Sequence, residues 1–318
     1  MSFLALLTKE MRLRLRRERT IWVIIIYILL MGLLGWFYLN NNSNYNNLGN
    51  NGLSDVGLNL YGLLAQVQLF LILFITPSFT STAVNSEKER QTFDMLLCSQ
   101  LSAFSLAGSK LVAGLINALL LIAASIPLFS LVFFFGGVSL SQVLSALAVF
   151  VITTFLIGAF GLFCSTLFQR PAISTAITYT GGLIWMLFPL LFTIVALSSG
   201  STHFFSAHPN IVKFLFVWNP VTALGNTYPS GTGGIFSILS AFGGYSTTSY
   251  NDYLGGPGLP FTIAGWTIAI WVVYSLISLV VTAGLFLLSM LIVKPRSSYR
   301  LPAQKRRGMR PGRVKATV

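Results

Sequence analysis

Glu87, Lys88, Glu89, Arg90 and Asp94 put five charges within eight residues of a 318-residue chain that is only 8% charged. The chemistry on offer there is ion pairing and recognition. Glu87 with Arg90, and Arg90 with Asp94, stand at helix spacing, and Ser86 followed three residues later by Glu89 reads as a capping box. Leu96, Leu97 and Leu101 give the same stretch an apolar side. It lies between two runs long enough to cross a bilayer, so it is either a docking surface for a partner or a solvated loop helix.

Other reactive constellations are absent from the sequence. No Gly-x-x-x-x-Gly-Lys-Ser/Thr phosphate loop occurs, so ATP binding is not expected of this chain. There are no paired catalytic carboxylates, no Ser/His/Asp or Cys/His arrangement and no His-Glu-x-x-His helix, and no catalytic residue is assigned. His203 and His208 stand five apart with Asp252 as the only acid of their segment. Solvated loop histidines are the commoner reading of such a pair, and no metal site is assigned. Cys98 and Cys164 have no further ligands nearby and read as reduced, structural thiols.

The elements that must position the charged stretch follow from composition. With 54% hydrophobic residues and a mean hydropathy of +0.77, the chain has too few charges to coat a soluble globule. It reads as an all-α integral membrane protein. A net charge of +13 could suggest nucleic acid, but the charge sits at span ends: six Lys and Arg lie in Lys9 to Arg19 and nine from Lys294 to Lys315. That distribution is the positive-inside pattern, and no nucleic-acid partner is expected.

Six spans are predicted, at about 21–39, 60–84, 111–135, 143–168, 172–197 and 262–293, within a single transmembrane domain over residues 1–293. Before them, Leu4, Leu7, Met11 and Leu15 recur at helical spacing among basic residues, which predicts an amphipathic helix along the membrane surface. An asparagine-rich external loop follows the first span. Residues 85–110 form the charged connection between spans two and three. Residues 198–260 form a long external segment, in which the run 211–218 is too short to cross and reads as a helix dipping into the outer leaflet, ended by Asn219 and Pro220. Residues 294–318 are a basic tail held near anionic headgroups. Six spans put both termini on one side, and their charge makes that side the cytoplasm of a cell inner (plasma) membrane.

Span five is the most polar. Ser174, Thr178, Gly181 and Trp185 recur along one face, with Thr175, Tyr179 and Gly182 alongside and Pro189 beyond. This face reads equally as a close-packing seam, such as one between two copies, and as a cavity wall. The interiors of the predicted spans carry no Asp, Glu, Lys, Arg or His, which disfavours ion-coupled transport.

The order Glu-x-Glu-x-x-Thr-x-x-x-Leu-Leu, then a small polar turn, then a Lys opening the next span, reads here as Glu87, Glu89, Thr92, Leu96, Leu97, Ser102 and Lys110. It resembles the cytoplasmic loop of the ABC-2 family of ABC-transporter permeases. Gln91 stands where that family usually has Gly, and Gln100-Leu101-Ser102 where it commonly has Pro. The resemblance implies that residues 85–110 hold a coupling helix, with Glu87, Glu89, Arg90, Thr92, Asp94, Leu96 and Leu97 facing a separate ATPase subunit. It also implies a re-entrant helical element before the last span.

The expected protein is therefore a permease subunit working as a dimer, with itself or a sister permease, and with two ATPase subunits that carry ATP and Mg. It binds no cofactor itself and is not an enzyme. A lipidic, drug-like or hydrophobic peptide cargo would leave outward through a cavity between the permeases. The rival readings are a non-transporting assembly or signalling subunit driven by the same kind of ATPase, and a secondary transporter or channel.

Overall fold

The computed structural model describes residues 8, 18–41, 52–89, 91, 103–198, 217–227, 261–263 and 266–293. The helices are α1 (Glu18–Asn41), α2 (Gly52–Thr80), α3 (Asn85–Glu89), α4 (Ala103–Phe135), α5 (Leu140–Leu167), α6 (Pro171–Ser198), α7 (Pro220–Gly225) and α8 (Ile270–Val293). Two three-residue strands, β1 (Phe261–Ile263) and β2 (Trp266–Ile268), precede α8. Among the described residues, six helices are long and apolar enough to cross a membrane: α1, α2, α4, α5, α6 and α8. The chain is an all-α, multi-pass membrane protein, as its apolar runs predict.

Several ends differ from the sequence expectation. The last helix starts at Ile270, because residues before it pair as an antiparallel hairpin with Phe261 opposite Ile268 and Ile263 opposite Trp266. Aromatic and β-branched residues on both sides of Ala264-Gly265 favour that pairing over helix. Helices α2 and α4 begin at Gly52 and Ala103, each about two turns ahead of the predicted 60 and 111. A helix persists past the hydrocarbon while one of its faces still packs on protein, and Ser105, Leu106, Ala107, Ser109 and Lys110 are all buried.

Helix α2 lies at the centre of the bundle, packed along α4, α5 and α6, while α8 runs along α5. The core that joins them is aromatic. Tyr61 of α2 meets Phe129 of α4 edge-on at 6.0 Å, and Phe129 meets Phe150 of α5 at 6.2 Å. Polar and apolar side chains alike face inward here, since helices in lipid are held by packing and hydrogen bonds. The exposed surface is apolar instead, with Trp22, Leu29, Leu33, Trp36 and Phe37 outward on α1 and Leu276, Val280 and Leu291 outward on α8.

The α4–α5 turn needs glycine. Gly136 and Gly137 have φ of +78° and +82°, and a Cβ on Gly137 would come within 2.6 Å of the Ser54 carbonyl. Left-handed backbone and a close approach to α2 therefore coincide at one corner.

Candidate functional site

The short helix α3 is fastened to three spans. Its first free N–H groups belong to the turn after α2, and both are taken by one hydroxyl: Ser165 Oγ of α5 accepts from Val84 N–H at 2.9 Å and Asn85 N–H at 3.1 Å. The expected capping box of Ser86 with Glu89 is not formed. Ser86 lies inside the helix, and its own N–H donates to the Thr82 carbonyl at 3.2 Å. The cap is supplied by a neighbouring helix, which does the same job as a local one.

The charges are arranged across the fold. Lys110 of α4 pairs with Glu87; the expected partner Arg90 lies outside the described residues. Lys110 is buried two turns into α4, one residue before the predicted third span, and Glu87 compensates its charge. Lys88 Nζ donates to the Thr166 carbonyl at 2.7 Å, in the last turn of α5, where the helix dipole favours a cation. Glu89 is exposed and turned away from these contacts. Arg90, Thr92, Asp94, Leu96 and Leu97 lie outside the described residues. Gln91, in the position where ABC-2 permeases usually have Gly, has a left-handed φ of 57°. The turn demands a conformation that glycine takes freely and glutamine does not.

Just before α3, Thr80 is pinched between two glycines. A Cβ on Gly114 of α4 would lie 2.8 Å from Thr80 Cγ2, and one on Gly161 of α5 would lie 2.3 Å from Thr80 Oγ1. Three helices meet here at the closest approach their side chains allow. The Thr80 hydroxyl donates to the Thr76 carbonyl at 3.0 Å, beside Pro77. Ser78 Oγ donates to the Ile75 carbonyl at 2.7 Å, so Ser and Thr hydroxyls flank Pro77.

The polar face of α6 is turned into its own chain. Ser174 and Thr178 are fully buried, and Gly182 is buried beside Leu73 of α2. Ser174 Oγ donates to the Ser81 carbonyl at 2.8 Å, and Thr175 Oγ1 shares a hydrogen bond with Ser81 Oγ at 3.0 Å. Thr178 Oγ1 donates to the Ser174 carbonyl at 2.8 Å, which satisfies the hydroxyl within its own helix. Tyr179 OH donates to the Phe74 carbonyl at 2.7 Å, one turn before Pro77. Gly181 lets the Phe160 ring of α5 approach to 2.9 Å of where a Cβ would be. The face outward from the chain is the opposite one, with Ile173, Ile177, Ile184 and Leu191 exposed.

At the other end of the bundle, Trp185 stacks on Tyr274 of α8, centroids 6.5 Å apart at 18°, and its Nε1 donates to the Trp218 carbonyl at 3.0 Å. Asn219 caps α7 through Oδ1, which accepts from Val221 N–H at 2.8 Å. It thus begins a helix, while Val217 and Trp218 just before it are the last helical and turn residues of the run that the sequence expected to end here. Its Nδ2 donates to the carbonyls of Trp185 and Met186. The expected surface helix before the first span, the run 211–216, His203, His208, Cys98 and the tail 294–318 lie outside the described residues.

Ser165, Ser81, Thr80 and Asn219 are the positions that sequence reasoning missed. A hydroxyl within an apolar span has no local signature, but Asn219-Pro220 is a helix-start signal that could have flagged the cap. Taken together, these contacts can carry force from α3 and the turn before it into α4, α5 and α6.

Comparison with curated proteins returns no match. The profile of the ABC-2 family transporter proteins matches residues 39–291, most of the chain, with four of the six spans in full and nearly all of the last. With six membrane-length helices and a charged α3 fastened between the second and third of them, this chain belongs to the ABC-2 family of transporter permeases, the membrane subunits of ABC transporters.

Proposed function

We propose that this chain is the permease of an ATP-driven exporter in the cell inner membrane, with both termini cytoplasmic. A separate ATPase subunit docks on the segment 85–110 and a lipidic, drug-like or hydrophobic peptide cargo moves outward. The observation that carries this reading is the division of labour on α3. Glu89 is exposed toward a partner, while Glu87, Lys88 and the preceding turn are tied to α4, α5 and α6. A push on the exposed side therefore reaches three spans without a flexible link between.

Two ATPase subunits, each with ATP and Mg, would serve two permeases. The face offered to the second permease is the outward one of α6, with Ile173, Ile177 and Ile184, because the Ser174 face is already occupied within the chain. An apolar route with few charges suits a cargo that partitions into lipid. Arg90, Thr92, Asp94, Leu96 and Leu97 complete the docking surface in this reading.

The test is gentle purification of the tagged chain from its native host, with identification and assay of what accompanies it. A stoichiometric phosphate-loop ATPase is expected. A chain that comes down alone, even after cross-linking, removes the coupling role of α3.

A further inference from the structure

A polar group buried at mid-depth of the bundle has one half of its hydrogen bonding unused. Gln68 of α2 is fully buried, and Tyr27 OH of α1 donates to its Oε1. Its Nε2 has no partner among the described residues. It lines a cleft between α1, α2 and α4, walled otherwise by apolar residues including Leu71, Ile75, Ala118 and Leu121. Gln68 stands twelve residues before the end of α2, about 18 Å along the helix, and thus near the middle of a hydrocarbon layer of about 30 Å.

The cleft is closed down by these side chains until it is too narrow to seat a water molecule. An amide N–H in apolar surroundings gains more from an acceptor than one that water can reach. Its acceptor must then arrive with an apolar body that widens the cleft. The wall that can yield is α1, since only 11% of its span is buried, against 56% for α2. A charged acceptor is excluded by the cost of carrying charge to this depth.

We propose that this cleft is a binding site, open sideways to the lipid, for a neutral lipophilic molecule bearing one oxygen acceptor, such as a ketone, ester or amide. The carbonyl takes Gln68 Nε2 and the hydrocarbon body lies along Leu71, Ile75 and Leu121. The site lies within one chain, and its identity as a cargo site rests on the transporter reading above, whereas binding itself does not.

The experiment uses the full chain in phosphatidylcholine nanodiscs. A long-chain aliphatic ketone carrying a photoactivatable diazirine is compared with an alkane diazirine of equal length, and labelled peptides are mapped. The ketone is expected to label peptides containing Tyr27, Leu71 and Ala118, at about one tenth of that level in Gln68→Leu, since one hydrogen bond in an apolar site is worth about tenfold. Gln68→Met, which keeps the length without an N–H, must match Gln68→Leu, and Ala118→Phe must block the cleft without altering its polarity. The alkane should label the outward residues of α1 and α8 and ignore Gln68. Ketone labelling that is equal in wild type and both Gln68 variants, or that stays on outward residues, overturns the site. Co-purification of an ATPase with no Gln68-dependent labelling rejects the site alone; Gln68-dependent labelling without any ATPase rejects the transporter reading alone.

Discussion

Asn219 donates its side-chain amide to the carbonyl of Trp185, four residues before Pro189 in α6. Proline has no N–H, so the i→i+4 partner that Trp185 would have in an ordinary helix does not exist. Asn219 supplies it, reaches Met186 O as well at 3.2 Å, and uses Oδ1 to start α7. One side chain thus satisfies a proline-freed carbonyl on a span and fixes the helix that packs against it.

Asn219→Ala should therefore cost more than an ordinary cap, about 2–3 kcal/mol, combining a lost N-cap with a buried carbonyl left bare. Asn219→Asp keeps the cap acceptor but offers no donor and sets a charge against carbonyls, so it should be at least as damaging. Pro189→Ala returns an N–H to α6 and should shrink the cost of Asn219→Ala. Thermal unfolding of the four proteins in detergent gives the cycle, and strict additivity would show that Asn219 and Pro189 act independently.

Glu87 and Glu89, two residues apart, should behave differently. Glu87 faces Lys110 and Glu89 faces outward. Glu87→Ala leaves Lys110 buried without its counter-charge and should lower stability by about 1–3 kcal/mol, discounted for the partial exposure of the pair. The double variant Glu87→Gln with Lys110→Met should recover most of it. Glu89→Ala should leave unfolding unchanged and reduce substrate-stimulated ATP hydrolysis by the complex. Equal stability losses for both single variants would contradict the division between an inward and an outward carboxylate.

The reason the Glu87–Lys110 pair could not be read from the sequence is general. Helix spacing links residues three or four apart, and Lys110 is 23 residues away on another element. The six spans were legible because each is an apolar run, and the glycine corner at 136–137 because two glycines interrupt one. The Ser165 cap was not, since a hydroxyl in the last turn of α5 looks like any tolerated serine and its targets lie 80 and 81 positions away. The small-residue face of α6 was visible as a pattern, but a pattern does not name its partner. Leu73, Phe74 and Ser81 of the same chain contact that face at Gly182, Tyr179, Ser174 and Thr175.

Gln91→Gly tests the backbone reading of the turn. A non-glycine residue at φ 57° carries about 1 kcal/mol of conformational cost that glycine avoids. The substitution should stabilise the end of α3 by that amount, seen as roughly fivefold slower hydrogen exchange at Lys88 and Glu89. Gln91→Val, which adds a branch at Cβ, should speed exchange instead. No difference among glycine, glutamine and valine would mean that the left-handed turn is not kept in the membrane.

The pinch at Thr80 makes the sharpest demand on volume. Gly161→Val would drive a side chain into Thr80 Oγ1, which already stands 2.3 Å from where the first new carbon must go. With Gly114 closing the other side, Thr80 cannot retreat, so the helices must part. A loss of about 1–3 kcal/mol is expected. Thr80→Ala should return part of it by removing both atoms in conflict. Because the turn to α3 starts at Ser81, parted helices should also weaken the contacts of Ser174 and Thr175 with that residue. In the complex, Gly161→Val should then uncouple ATP hydrolysis from transport even under conditions where it stays folded, and Thr80→Ala should restore the coupling. If Gly161→Val unfolds no more readily than wild type and transports normally, α2, α4 and α5 are not in contact at this level.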